Sequence, residues 1–97
     1  MAIRYDENCV YAVSTPVGIK IGFTSRLGDR ISSLQRQYSQ ACYPIALITG
    51  LSRSSAMDAE RRLHDKLSEF SVRSEIFDVS PEIVRGLFAG FKSGVCV

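Results

Sequence analysis

The chain has 97 residues, of which 45% are hydrophobic, and a formal net charge of +2 at pH 7. This length suits one small domain, and the hydrophobic content supports a packed core and argues against intrinsic disorder. No apolar run approaches the roughly 20 residues of a membrane-spanning helix. The N-terminal sequence MAIRYDENC carries charges and lacks the apolar stretch of a signal peptide. We therefore expect one domain over residues 1–97, with its core over about 9–92, in the cytoplasm and away from membranes.

The small net charge does not by itself indicate nucleic-acid binding, so any phosphate-binding surface must be local. The three cysteines are an odd number at irregular spacings, and the chain has a single histidine. A zinc site is therefore not expected, and buried or free thiols are the simpler interpretation of Cys9, Cys42 and Cys96.

The first predicted element is a β-hairpin. From Val10 to Thr15, the residues Val10, Ala12 and Ser14 alternate with Tyr11, Val13 and Thr15, as in a strand, and the segment Ile19–Phe23 alternates again. The sequence TPVG between them has the proline and glycine of a tight turn. In this alternation Lys20 points away from its isoleucine neighbours. The pattern allows Tyr11 and Lys20 to share one sheet face, with the core on the other.

A helix is predicted from about Arg26 to Tyr38, with Thr24 or Ser25 as its cap. One face of this helix is apolar and consists of Leu27, Ile31, Leu34 and Tyr38. Arg30 lies beside this apolar face. The apolar, β-branched segment Tyr43–Leu51 that follows is predicted to be a buried strand.

The clearest helical pattern follows in SRSSAMDAERRLHDKLSEF, with Ser54 or Ser55 as the predicted cap. Glu60 and His64 are four residues apart, so they share a helix face and border the core stripe. That stripe consists of Ala56, Ala59, Leu63, Leu67 and Phe70.

A short strand is predicted within Glu75–Val79. A third helix begins with Ser80 as its cap and Pro81 at its first position, and it ends between Gly90 and Gly94. The resulting order, β-β-α-β-α-(β)-α, predicts an α+β fold, an α/β sandwich. In this fold the hairpin, the first helix and the third strand are followed by two further helices packed on a mainly antiparallel sheet.

This order, together with several short motifs, resembles the GIY-YIG nuclease superfamily, in particular its short phage-type or fungal "DNA-binding" branch. The resemblance covers about Cys9 to Leu87. The first family motif falls on Cys9-Val10-Tyr11 and the second on Lys20-Ile21-Gly22. The family arginine falls on Arg30 and the metal-binding glutamate on Glu60. The phrases KIGFT, AERRLH and SEIFDVS are typical of the short branch.

The chain also departs from the family pattern. Cys9 and Lys20 stand where glycine and tyrosine are usual, and Leu34 occupies a position where nucleases of the family often carry a histidine or tyrosine. Many members have a late asparagine, whereas the single asparagine of this chain is Asn8. These departures argue against efficient catalysis, but they do not affect the predicted fold.

The resemblance implies a role for each matched residue. Glu60 would hold Mg²⁺ or Mn²⁺, Arg30 would stabilise the phosphate, and Tyr11 would act as a base or orient the attacking water. Lys20 would contact the phosphate or lower the pKa of Tyr11. His64 could replace the missing helper as a general acid or base.

Each of these residues also has an ordinary structural interpretation. Tyr11 could be a strand aromatic, Lys20 an outward-facing residue and Arg30 a partner of Asp29. Glu60 could be a solvated helix residue, and His64 a satisfied residue at the core edge. Gly22 is expected to allow a close approach of backbone or substrate to the hairpin. Glu75 is expected at the surface, and the alternative is that it is a second acidic residue of the site. Further candidates for nucleic-acid backbone contacts are Arg26, Arg36, Arg53, Arg61, Arg62 and Lys66.

Two functions from different classes remain. The first is a small endonuclease that hydrolyses the phosphodiester bonds of DNA, most simply double-stranded, with one divalent ion. The alternative is a weakly active or inactive module that binds DNA or a protein partner. Because specific DNA interfaces often bury about 1,000–2,500 Å² of protein, a domain of this size would need dimerisation, a targeting protein or low sequence specificity.

Overall fold

The computed structural model describes residues 8–91 and 94–96, and it confirms the predicted α+β fold. Within this part of the chain one antiparallel sheet has the strand order β4-β5-β2-β1-β3-β6. The strands are β1 (Asn8–Thr15), β2 (Gly18–Thr24), β3 (Tyr43–Leu51), β4 (Ser71–Arg73), β5 (Ile76–Phe77) and β6 (Gly94–Cys96). The helices are α1 (Leu27–Tyr38), α2 (Arg53–Lys66) and α3 (Pro81–Ala89), with a short 3-10 helix over Ser68–Phe70.

The turn of the predicted hairpin is confirmed. Thr15 donates its hydroxyl hydrogen to the carbonyl oxygen of Gly18 and accepts the backbone N–H of Val17. Gly18 has a φ of +141°, which favours glycine. The strand predicted over Glu75–Val79 is shorter than expected, since β5 covers only Ile76–Phe77.

Two of the predicted helix caps are wrong. Arg26, which has no side-chain cap hydrogen bond, occupies the cap position of α1, and Thr24 instead accepts the backbone N–H of Arg26. The cap of α2 is Ser52, whose hydroxyl accepts the backbone N–H of Ser55. The predicted cap of α3 is confirmed, because Ser80 accepts the backbone N–H of Ile83.

The larger core lies between the sheet and the two helices α2 and α3, and we call this side of the sheet the α2–α3 face. The buried apolar residues of both the strands and the helices meet here without a polar side chain among them. They are Val10, Ala12, Ile19, Ile21, Ile45, Ala46, Ile48, Ala56, Ala59, Leu63, Leu67, Phe77, Val84 and Phe88. The core stripe predicted for α2 belongs to this cluster, with Phe70 only partly buried.

The opposite side of the sheet, which we call the α1 face, is also covered. Tyr11, Val13, Leu34 and Cys42 are buried here, and the apolar face predicted for α1 packs against them. This corrects the expectation that Tyr11 and Lys20 would share a face without a core. The two side chains do share the α1 face, but α1 covers part of it. Of the other two cysteines, Cys9 is half-buried and Cys96 is exposed.

No helix in the described ranges, 8–91 and 94–96, is long and apolar enough to cross a membrane.

Candidate functional site

The hairpin brings Tyr11 directly opposite Gly22 on the neighbouring strand. A Cβ atom at position 22 would lie 2.7 Å from the Tyr11 hydroxyl oxygen and 3.2 Å from Oε1 of Glu75. Glycine is therefore required here, because any larger residue would displace the phenol or the carboxylate. The group that approaches Gly22 is the side chain of Tyr11, which is only 1% exposed, whereas backbone or substrate was expected there.

The edge of β2 is the second feature that positions the site. Ile21 donates its backbone N–H to the carbonyl oxygen of Glu75, and β5 pairs with β2 only at Ile19 and Lys20. Two residues further on, the N–H of Phe23 points to the same side of β2, beyond the end of β5. A backbone group in this position needs a side-chain or water partner.

Two side chains of α2 supply hydrogen bonds to this edge. The carboxylate of Glu60 accepts the backbone N–H of Phe23. His64 donates Nε2–H to the carbonyl oxygen of Ile21, at 2.9 Å, and its ring packs edge-on against Phe77. The shared helix face predicted for Glu60 and His64 is thus turned towards the open edge of β2.

Glu75 is tied to the same strand by its side chain as well as its backbone. Nζ of Lys20 donates to Oε1 of Glu75 at 2.9 Å, in a part-buried ion pair. Glu75 lies in the β4–β5 turn, directly after Ser74, which has a φ of +35°. The pairing of β5 with β2 therefore carries this carboxylate to the site.

Side chains from several elements of the fold line one cavity of about 390 Å³. Tyr11 reaches it from β1, Arg30 from α1, Arg53 and Glu60 from α2, and Glu75 from the β4–β5 turn. The complete lining is Asn8, Tyr11, Phe23, Thr24, Ser25, Arg30, Arg53, Glu60 and Glu75. The cavity lies where the helix layers on the two faces of the sheet meet, around the open edge of β2.

Arg53 and Glu75 also line the cavity, although the sequence indicated Arg53 only as one of several candidates for backbone contacts and favoured a surface position for Glu75. The guanidinium of Arg53 lies over the Phe23 ring, 5.7 Å from its centroid. One signal was present, because Arg53 and Glu60 are seven residues apart and so share a face of α2. No comparable local signal exists for Glu75, which depends on the pairing of distant strands.

The carboxylate of Glu60 is held in an unfavourable environment for its charge. Burial raises the pKa of Glu60, and the neighbouring Glu75 carboxylate raises it further. His64, Lys20 and the N–H of Phe23 act in the opposite direction without cancelling the effect. A cation placed beside Glu60 would therefore be stabilised by two carboxylates.

The phenol of Tyr11 is neutral at physiological pH. Burial raises the pKa of Tyr11 to about 12, with the negative charges of Glu75 and Glu60 acting in the same direction. The positive charge of Arg30 lowers it. The cation that acts on Tyr11 is thus Arg30, whereas the ammonium of Lys20, expected in this role, is paired with Glu75.

The remaining candidate residues lie outside the cavity lining. Lys20 and His64 are adjacent to it and bonded as described above. On α1, Arg26 pairs with Asp29 at 3.6 Å, and Arg36 donates to the Ser33 hydroxyl. On α2, Arg61 is exposed and Arg62 pairs with Asp58 at 3.0 Å. Contacts of these residues with nucleic acid stay predictions.

The donor set at the cavity suits a hard divalent cation with few protein ligands. Glu60 offers a partly buried carboxylate, and Glu75 adds a second one across the cavity lining. Within residues 8–91 and 94–96 no group of three or more histidine, cysteine, aspartate or glutamate side chains could hold a metal ion. Mg²⁺ accepts such a site, since it commonly binds one or two carboxylates and completes its shell with water and substrate phosphates.

The fold and the cavity define a small α+β domain with a polar cavity at the edge of its sheet. The chain belongs to the T5orf172 domain family, whose family model matches residues 7–92. No curated protein and no solved structure gave a significant match to the chain.

Proposed function

We propose that this protein is a small DNA endonuclease of the GIY-YIG type, which hydrolyses phosphodiester bonds with a single Mg²⁺ or Mn²⁺ ion. Membership of a nuclease-related family supports a role on nucleic acid in general. The observation that supports metal-dependent hydrolysis in particular is the convergence of Tyr11, Arg30 and Glu60 on one cavity. These three residues come from three different elements on both faces of the sheet.

Glu60 is the proposed metal ligand, because its carboxylate is partly buried, faces the cavity and has a raised pKa. A divalent ion bound there would neutralise charge on the phosphate and lower the pKa of a bound water. Glu75 adds negative charge close enough to Glu60 to raise its pKa. Lys20 holds Glu75 in place through the 2.9 Å ion pair.

Arg30 is the proposed phosphate-binding residue. Its guanidinium lines the cavity and presents a fork of N–H donors that matches two phosphate oxygens. Such fixed donors stabilise the negative charge that develops on a phosphate as water attacks. Arg30 also lowers the pKa of Tyr11, so it links the phosphate to the phenol.

Tyr11 is proposed to orient the attacking water. With a pKa of about 12, its phenol is protonated at neutral pH and does not act as a free base. A neutral hydroxyl can still accept a hydrogen bond from water and donate one to a phosphate oxygen. Of the two roles that the sequence suggested for Tyr11, the orienting role is therefore the one that its environment favours.

A second function, that of a non-catalytic module for DNA or a protein partner, is favoured by a different observation. The candidate general bases are engaged or protonated, since the His64 Nε2 is bonded to Ile21 and Tyr11 is neutral. In such a module the arginines would bind backbone phosphates without hydrolysis. DNA binding would then survive the loss of Glu60 and fall steeply with salt.

The experiment that separates the two functions is nicking of supercoiled plasmid. Wild type, Glu60→Ala and Glu69→Ala would be compared with Mg²⁺, with Mn²⁺ and with a chelator. Glu69 is an exposed glutamate of the 3-10 helix and serves as the matched control. We expect metal-dependent nicking by wild type and Glu69→Ala, and its loss in Glu60→Ala.

Two results would contradict the nuclease proposal. Nicking by Glu60→Ala at the wild-type rate would remove Glu60 from the reaction. Absence of nicking by folded wild-type protein in either metal, with salt-sensitive DNA binding retained, would establish the binding module.

A further inference from the structure

The pair formed by Arg53 and Phe23 has no role in the mechanism described above. Both residues line the cavity, and the guanidinium lies 5.7 Å from the centroid of the Phe23 ring. A guanidinium stacked on an aromatic ring keeps its N–H edges free, because the ring contacts only the face of the group. The Phe23 ring therefore holds Arg53 at the cavity while the N–H donors of Arg53 remain available for a ligand.

The two cavity arginines differ from Arg26 and Arg62 in that no ion pair with a described residue neutralises their charge. Arg26 pairs with Asp29 and Arg62 with Asp58, each within its own helix. Neither Arg30 nor Arg53 has a carboxylate of the described residues within ion-pair distance. Both side chains are exposed as well as lining the cavity. They are thus positioned to bind an anion that arrives from solution.

The two arginines come from helices on opposite faces of the sheet. Arg30 belongs to α1 and Arg53 is the first residue of α2, and the cavity between these layers surrounds the open edge of β2. A ligand that contacts both must extend across this edge. A nucleic-acid strand meets this requirement because it carries one negative charge per nucleotide along an extended backbone.

We propose that Arg53 binds a backbone phosphate next to the phosphate that is cut, so that the site holds two consecutive phosphates of one strand. Arg30 takes the phosphate that reacts, and Arg53 takes its neighbour on the α2 side of the cavity. The contact with the Phe23 ring keeps the guanidinium beside the cavity, where its fork of donors can make a bidentate contact. This inference rests on the proposed function and extends it, since it assigns a polymeric strand, and not a mononucleotide, as the ligand.

The test is DNA binding measured without catalysis. Fluorescence anisotropy with a labelled 20-base-pair duplex, in chelator and over a series of salt concentrations, gives both the affinity and its salt dependence. The variants are Arg53→Ala, Arg53→Lys and, as a matched loss of charge on a different element, Arg85→Ala in α3. Circular dichroism melting confirms that each variant is folded.

We expect Arg53→Ala to bind about tenfold more weakly than wild type, as the loss of one charged hydrogen-bonding contact predicts. The slope of log affinity against log salt should fall in magnitude by about 1. Arg53→Lys should lie between the two, because lysine keeps the charge but loses the fork. Arg85→Ala should retain the wild-type affinity.

A kinetic readout distinguishes a neighbouring phosphate from the reacting one. Arg53→Ala should need about tenfold more plasmid for half-maximal nicking, whereas Arg30→Ala should be slow at any plasmid concentration. Wild-type affinity and salt slope in Arg53→Ala would overturn the proposal, as would equal binding by Arg53→Lys and wild type. Because the binding measurements use chelator, they can fail while metal-dependent nicking succeeds, and the reverse.

Discussion

The two faces of the sheet are built from the same strands, yet their side chains differ in kind. On the α2–α3 face, Val10, Ala12 and Ile21 join an extensive core that contains only apolar residues. On the α1 face, the same strands present Tyr11, Lys20 and Gly22, and the buried cluster beneath α1 is much smaller. The first face provides most of the apolar burial that stabilises the fold. The second face keeps polar groups close to the sheet, where a ligand can reach them.

The site lies where these two faces meet. Beyond Ile21 the strand β2 has no neighbour in β5, so its backbone groups are bonded by side chains of α2. Glu60 reaches this edge from the α2–α3 face, and Tyr11 and Arg30 reach the cavity from the α1 face. An open strand edge is usually a liability that proteins cover. In this fold one of the covering groups, Glu60, is also the carboxylate suited to bind a cation.

The largest expected effect is on stability, and it compares the two cores with the same substitution. Leu63→Ala should lower the free energy of unfolding by about 3–4 kcal/mol and Leu34→Ala by about 2–3 kcal/mol. The reason is that Leu63 is surrounded by the larger cluster, whereas the smaller cluster around Leu34 includes partly buried side chains of α1 that can relax into the space. Urea unfolding at neutral pH measures both values. Equal losses, or a larger loss for Leu34→Ala, would contradict this account of the two faces.

Replacing Glu60 by glutamine should change the free energy of unfolding by a smaller amount and in the opposite direction, that is, it should stabilise the protein. Because the pKa of this carboxyl group is raised in the folded protein, its ionisation favours unfolding. The penalty is absent below the ordinary value of 4.5 and grows as the pH rises through the folded-state pKa. In chelator, Glu60→Gln should therefore be more stable than wild type at pH 7, and the difference should vanish near pH 4.

Urea unfolding of both proteins across this pH range, with Glu69→Gln as the control, measures the difference. The glutamine oxygen can still accept the Phe23 N–H, so the backbone hydrogen bond is preserved. A Glu60→Gln variant that is less stable than wild type at pH 7 would show that the ionised carboxylate stabilises the fold.

The smallest effect is spectroscopic and concerns Tyr11. The chain has four tyrosines, and burial raises the pKa of Tyr11 to about 12. The stability that its neutral form contributes is present below pH 10 and is lost as the pH rises towards 12. Ultraviolet titration should show one phenol that ionises well above the usual pH of about 10.

Two variants identify that phenol. Tyr11→Phe should remove the late ionisation, whereas Tyr43→Phe, which alters an exposed tyrosine, should leave it unchanged. Arg30→Ala should move it to still higher pH, since Arg30 lowers the pKa of Tyr11. A late ionisation that persists in Tyr11→Phe would contradict the assignment.

Much of the fold could be predicted from the sequence because its main elements have strong local signals. The hairpin turn, the apolar face of α1, the strand β3 and the Ser80 cap of α3 all follow from short-range patterns. The two three-residue strands β4 and β6 could not be predicted. Such strands are too short for an alternating pattern and exist only through pairing with β5 and β3.

The residues of the candidate site also differ in whether local sequence patterns predict them. Tyr11, Arg30 and Glu60 were named from motifs, and the structure brings them to one cavity. Glu75 was expected at the surface because nothing near it in sequence indicates that β5 will pair with β2. The ion pair with Lys20 follows from that pairing, and so does the change in the expected role of Lys20. Sequence patterns indicate which residues carry chemistry, but long-range pairing decides which of them meet.

The most direct test of the central claim is anomalous diffraction from crystals grown with Mn²⁺ and a short DNA duplex. We predict one Mn²⁺ peak within coordination distance of the Glu60 carboxylate, beside a backbone phosphate that contacts Arg30. This result would establish that groups from both faces of the sheet act on a single phosphodiester bond. A metal peak elsewhere, or a phosphate bound without metal at Glu60, would contradict the account.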